Sequence, residues 1–303
     1  SFNLTTKLDD GSLSFNFVEP AFLGRDVAFG LAANYGVVRP IYALHSEEQL
    51  SVSPSLTFPV SERGRLSLRY KAGLSTLTNP NGEVLPAMIE DDIAVGEVLE
   101  QSIGYSYSFD TRRNGVNPNA GILFKFSQDY AGLGGDVEYL RNAIELTAEA
   151  QVLNEEVTVR ATLEGGMIDG LGVNSRASDR YFSSTSRLRG FEPGGIGPRD
   201  TATDLALGGN FFAAARLESV FPLGLPEEYG IKGGVFLDHG AIWGLDDATG
   251  ADGSENLAWR TVVGTSIFLQ TPIGPLRFNF TRALAKEDYD IEQTFDLTIA
   301  TQF

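Results

Sequence analysis

Apolar and polar residues alternate along most of this chain. In "RLSLRYKAGL", Leu66, Leu68, Tyr70, Ala72 and Leu74 fall on one side, with Arg65, Ser67, Arg69 and Lys71 on the other. In "NAIELTAEAQV", Ile144, Leu146, Ala148, Ala150 and Val152 oppose Glu145, Thr147, Glu149 and Gln151. A period of two is the signature of a strand with one apolar face. About fourteen segments carry it, at approximately 2–8, 12–20, 26–37, 48–59, 64–76, 101–111, 120–129, 139–152, 156–167, 210–221, 231–243, 258–271, 275–284 and 293–303. Many of them reach the roughly 9–11 residues with which a tilted strand crosses a bilayer.

The connections alternate in length. Short turns such as "PVSERG" and "TPIGP" exchange with long polar loops at 78–100, 168–209 and 245–256. A membrane barrel has this asymmetry, with short periplasmic turns and long external loops. A soluble sandwich also alternates, but so many charges on one continuous face suit a hydrated lumen, with the apolar face toward lipid. The expected fold is all-β, a transmembrane antiparallel β-barrel formed by residues 1–303 as one domain, with 168–209 as a long loop folded into the lumen.

Composition narrows the chemistry. Cysteine is absent and histidine occurs twice, as His45 and His239, so thiol nucleophiles, disulfides and His-rich or Cys-based metal centres are excluded. A formal net charge of −17 argues against nucleic acid as a partner. No run approaches the roughly 20 apolar residues of a transmembrane helix. The chain opens directly in a strand-like pattern, "SFNLTTK", as expected of a fragment whose N-terminal part lies elsewhere. No cofactor, metal or enzymatic mechanism is expected.

The loop 168–209 breaks the alternation. Its stretch "SSTSRLRGFEPGGIGPRD" is rich in Ser, Gly, Pro and Arg, and seven glycines fall within 165–195. That composition suits close backbone packing inside a lumen. An arginine carried inward would need carboxylates, and the next two strands offer them. Glu218 has the inward parity of "FFAAARLESVF", with Leu217 and Phe221 outward. Asp238 has the inward parity of "IKGGVFLDHGAIW", with Val235, Leu237 and Trp243 outward. A guanidinium can bridge two carboxylates with its planar fork. The same two carboxylates could be read as an acid–base pair, but no neighbouring nucleophile or histidine completes a mechanism. "GGIGPRD" lacks the lysine and following helix of a phosphate loop. His239 has outward parity. The row Arg65, Arg69, Lys71, Lys125 and Arg160 balances Glu145, Glu149 and Glu164 across the inward face.

"RLRGF" followed by "GGIGPRD" resembles the sixth-loop motif of the BamA-type outer-membrane insertases. "LGGNFFAAARLESVFPL", "GGVFLDHGAIWG", "TPIGPLRFNFTRAL" and "FVEPAFLGRD" resemble that family's segments in order and spacing. The resemblance implies a motif at Leu188, Arg189, Gly190 and Phe191, with Arg189 held by Glu218 and Asp238. It also implies a sixteen-stranded barrel preceded by periplasmic POTRA domains. On that register this chain begins at the third strand, without the first two strands or the POTRA domains. The last strand, carrying Phe295, Leu297, Ile299 and Phe303, would then form the seam, and Phe303 would match the C-terminal aromatic of outer-membrane barrels. The implied partners are unfolded outer-membrane proteins, accessory lipoproteins, and outer-membrane lipid and lipopolysaccharide, all at the bacterial outer membrane. The alternatives are a TamA-like assembly barrel, a two-partner secretion translocator and a passive porin.

Overall fold

The computed structural model describes residues 2–7, 11–112, 119–253, 257–271 and 274–299. Among the described residues sixteen strands, β1 to β16, follow one another in chain order, beginning with β1 (Phe2–Lys7), β2 (Ser12–Glu19), β3 (Ala28–Val38) and β4 (Ser46–Pro59). Fourteen of them form one antiparallel sheet in the order β1-β2-β3-β4-β5-β6-β7-β8-β9-β11-β12-β14-β15-β16, so each strand pairs with its sequence neighbours in the sheet. The wall strands that matter most below are β5 (Gly64–Thr78), β6 (Glu97–Asp110), β7 (Ala120–Ala131), β8 (Tyr139–Val152) and β9 (Val157–Gly170), then β11 (Phe211–Pro222), β12 (Ile231–Trp243), β14 (Arg260–Thr271), β15 (Gly274–Ala285) and β16 (Phe295–Ile299). The remaining two, β10 (Arg199–Asp200) and β13 (Ala251–Asp252), pair only with each other.

The alternation in sequence becomes two faces in space. Leu163, Leu217, Val235, Leu237 and Ile267 keep 42–53% of their surface exposed on the outer face of β9 to β14. An apolar surface of this extent is a poor match for water and a good one for hydrocarbon. At one end of this belt the rings of Phe211, Trp243, Trp259 and His239 stack in a chain, with centroids 4.8–6.4 Å apart. Such aromatic girdles sit at the membrane–water boundary. The opposite face carries cross-strand ion pairs, among them Lys71–Glu100 at 2.7 Å and Lys125–Glu145 at 3.1 Å.

At two of the long loops the structure differs from the sequence expectation. The polar stretch 78–100 contains helix α1 (Ala87–Val95), and β6 begins at Glu97. Leu85, Ile89 and Ile93 recur at helical spacing, and a reading at period two passes over them. Leu85 and Ile89 are buried with Ala177 and Leu207, which tethers α1 to the long loop. Strand β9 runs on to Gly170, so the loop proper starts at 171. The last strand is described from Phe295 to Ile299, and Phe303 lies outside the described residues. Among the described residues no ladder joins β1 to β16.

Candidate functional site

The segment between β9 and β11 folds against the inner face of β11, β12 and β14. Leu188, Phe191 and Ile196 enter a single buried cluster with Phe212, Phe236, Ile242 and Val262 from the wall. Phe191 is fully buried. Gly190 is required where it stands. Its φ is +87°, and a Cβ there would lie 2.7 Å from the Val262 side chain. Only glycine takes that backbone conformation without strain and leaves room for the valine.

Arg189 sits at the centre. Its Nε donates to Asp238 Oδ2 at 2.6 Å and its Nη2 to Asp238 Oδ1 at 2.5 Å, a bidentate fork. Its Nη1 donates to Glu218 Oε2 at 2.6 Å. The backbone N–H of Arg189 adds a 3.2 Å bond to Asp238. The guanidinium lies 3.5 Å over the ring of Phe236, which gives the cation an apolar platform. The ladder explains why both carboxylates are in reach. Glu218 faces Phe236 across β11 and β12, and Asp238 is two residues further on the same face. Burial pulls the guanidinium pKa down, but the bonds and charge of Asp238 and Glu218 outweigh it, and Arg189 stays charged. Asp238 is completely buried, so it has no bulk water as an alternative partner, while Glu218 keeps 10% of its side chain exposed toward a polar cavity.

Two features were not picked out from the sequence. Arg277 of β15 donates to Glu218 and, at 2.8 Å through Nε, to Asn279 Oδ1. Glu218 is thus shared by two arginines from different parts of the chain. Arg216, directly opposite Asp238 in the ladder, turns away from it and pairs with Glu164 while donating to the Ser186 carbonyl of the loop. The inward parity of Arg216 and Arg277 is visible in sequence. Which carboxylate each reaches depends on sheet curvature. Of the expected charge row, Arg69 pairs with Asp129, Lys71 with Glu100, Lys125 with Glu145 and Arg160 with Glu149. No group of His, Cys, Asp and Glu among the described residues could hold a metal ion.

Phe295 and Leu297, expected at the seam, face away from this cluster. Phe295 and Leu297 are half exposed on the outer face, and the Phe295 ring is 5.4 Å from that of Phe280. Ile299 pairs in register with Leu276. Between them Asp296 points inward and accepts two 2.8 Å bonds from the Asn279 amide.

The model of the Omp85 superfamily domain matches residues 1–303. The chain belongs to the Omp85 superfamily. Within it, BamA of Neorickettsia risticii, an outer membrane protein assembly factor, is 29% identical over 250 residues, covering 82% of this chain and 33% of that protein. The sorting and assembly machinery component 50 homolog of Bos taurus is 33% identical over 147 residues, covering 48% of this chain and 31% of that protein. This Omp85 chain therefore spans about a third of the length of these relatives. In structure it matches BamA from Haemophilus ducreyi lacking POTRA domains 1–3, with a TM-score of 0.82 and 19% identity, covering 98% of this chain and 63% of that one. The fold is a BamA-type barrel, and its place is the bacterial outer membrane.

Proposed function

We infer that this chain is the membrane barrel of an insertase that folds other β-barrel proteins into the outer membrane. The observation that carries the reading is the inner loop anchored through Arg189 to Glu218 and Asp238 in an Omp85 barrel. A buried fork of this kind holds a loop in one place against the wall. The action is physical, without nucleotide hydrolysis or bond chemistry. An edge strand with unpaired backbone groups is a template for another strand, and a client strand adds there by β-augmentation. Strand β16, with Phe295, Leu297 and Ile299, is the proposed template edge. A hydrophobic belt poorly matched to the bilayer thins it locally and lowers the barrier to insertion. The partners in this reading are unfolded outer-membrane proteins, accessory lipoproteins, and lipid with lipopolysaccharide.

The test is reconstitution of the full-length protein in liposomes of outer-membrane lipid, with a urea-unfolded barrel protein as client. Folding is followed by the electrophoretic mobility shift of the client. Acceleration over protein-free liposomes is expected, with most of it lost in Arg189→Ala. Equal rates with and without the protein would overturn the reading. A stable single-channel conductance in that preparation would instead favour a translocator or porin.

A further inference from the structure

The connection 286–294 between β15 and β16 is held from two sides. On one side is an ion pair remote from Arg189. Arg260, the first residue of β14, donates through Nε and Nη2 to the two Asp290 oxygens, each at 2.8 Å. The two side chains are 1% and 0% exposed. Arg260 also donates to the Ala258 carbonyl at 2.7 Å and to the Tyr289 hydroxyl at 3.1 Å. Asp290 accepts the Glu287 N–H at 2.8 Å, which closes the connection into a tight turn. On the other side is the inner loop itself. The Glu192 N–H donates to the Ile291 carbonyl at 3.0 Å, the Ile291 N–H to the Gly195 carbonyl at 2.9 Å, and the Gln293 N–H to the Gly190 carbonyl at 3.0 Å. The motif glycine and its neighbours thus form a short ladder with the residues that lead into β16. Phe191 and Glu292 bridge within it.

We propose that Arg260 and Asp290 are positioning residues of a latch that joins the inner loop to the outer end of β16. They fix the turn that presents Ile291 and Gln293 to the loop, so loop docking and the setting of β16 share one free energy. The proposal rests on the reading of β16 as the template edge. In that frame, the loop cannot leave the wall without loosening β16, and β16 cannot swing without weakening the loop. Coupling of this kind is reciprocal. The chemistry suits a latch. A buried pair broken at one partner leaves an uncompensated charge, and the three backbone bonds join two irregular segments just ahead of the β15–β16 ladder, where Thr281 bonds Gln293 and Thr294.

Hydrogen exchange of the full-length protein in lipid nanodiscs reads this directly. Arg260→Met is expected to speed amide exchange about tenfold or more over 286–295 and also over 188–196, although the hydrogen bonds of Arg260 go to Ala258, Tyr289 and Asp290. Arg189→Ala is expected to speed 286–295 in return. Asp290→Asn keeps the shape of the turn and removes only the charge. It should reproduce the Arg260→Met pattern at smaller amplitude, and it keeps the proposal testable should Arg260→Met fail to insert. Strands β5 to β8 should exchange as in the wild type in every variant. Acceleration confined to 257–260 and 286–290 would overturn the latch, as would acceleration spread evenly over the barrel. The measurement does not depend on activity. A wild-type protein that inserts no client would sink the functional reading, while the exchange pattern would decide the latch on its own.

Discussion

The two halves of the barrel wall solve the same problem differently. On β7 to β9 the inward pairs Lys125–Glu145 and Arg160–Glu149 stand beside open space. Lys125 and Glu145 keep 52% and 32% of their side chains exposed, and Arg160 and Glu149 keep 46% and 25%. On β11, β12 and β14 the long loop covers part of the inner face and packs a protein core there, beside which Arg189 and Asp238 retain 7% and 0%. The residue types are alike and the distances similar. What differs is whether water is an alternative partner. In the open half an ion pair replaces good hydration with a modest attraction. Where the loop packs, Arg189 and Asp238 depend on each other, because burial leaves Asp238 no other partner. The loop, more than the strands, decides which charges matter.

The largest effect is expected where the filled half is most like a core. Phe191→Ala removes a fully buried ring from a cluster built by loop and wall. A cost of about 3–5 kcal/mol is expected. It is measured as the shift in urea-unfolding free energy of the barrel in micelles, with proteolysis of 183–200 rising in parallel. Leu217→Ala on the outer face of the same wall should cost far less, and comparable losses would mean that the loop adds no core.

Arg189→Ala should come next. It strands Asp238 and leaves Glu218 to Arg277 alone. A loss of about 3 kcal/mol is expected, at the lower end for a broken buried pair because Arg277 still neutralises Glu218. Arg189→Lys should recover only part of it, since an ammonium cannot make the bidentate fork and the bond to Glu218 together. Full recovery would show that charge alone holds the loop. Gly190→Ala should be smaller, about 1–3 kcal/mol, from the positive φ and the Val262 contact. Val262→Ala in the same chain should relieve the contact but not the backbone strain, so partial rescue is the informative result.

How much of this the sequence disclosed follows from the same contrast. The strands and the facing of Glu218 and Asp238 were legible because period-two alternation is a local property, and lipid on one side with water on the other enforces it. The loop announced itself by composition, and Arg189 by its motif. Helix α1 is not legible at period two, because Leu85 ahead of it and Ile89 and Ile93 within it recur every four residues among acidic ones. The second cation on Glu218 was not read either. Arg277 lies on β15, with β12 and β14 between it and β11, and only sheet curvature brings it to Glu218. Asp290 stands in "KEDYDIEQ", a run of charges indistinguishable from a solvated loop, yet its side chain is completely buried. Long-range closure of this kind leaves no trace in a linear pattern.

The smallest expected effect sharpens the comparison most. Lys125 and Glu145 stand directly opposite on β7 and β8, joined by a 3.1 Å bond, so their geometry is as good as the sheet can offer. If distance set the strength of an ion pair, this one would rival Arg189 and Asp238. If water access sets it, a double-mutant cycle between Lys125→Ala and Glu145→Ala should give a coupling of about 0.2–1 kcal/mol. It should shrink further between roughly 0.1 M and 1 M salt, as the screening length falls from about 10 Å to about 3 Å. The cycle between Arg189→Ala and Asp238→Ala, run in the same micelles, should give about 2 kcal/mol or more and hold it across that salt range, because ions do not enter the packed loop. Equal couplings, or equal salt dependence, would show that the loop does not dry the half of the lumen it occupies. The anchor at Arg189 would then be only one more surface pair, too weak to hold the loop against the wall.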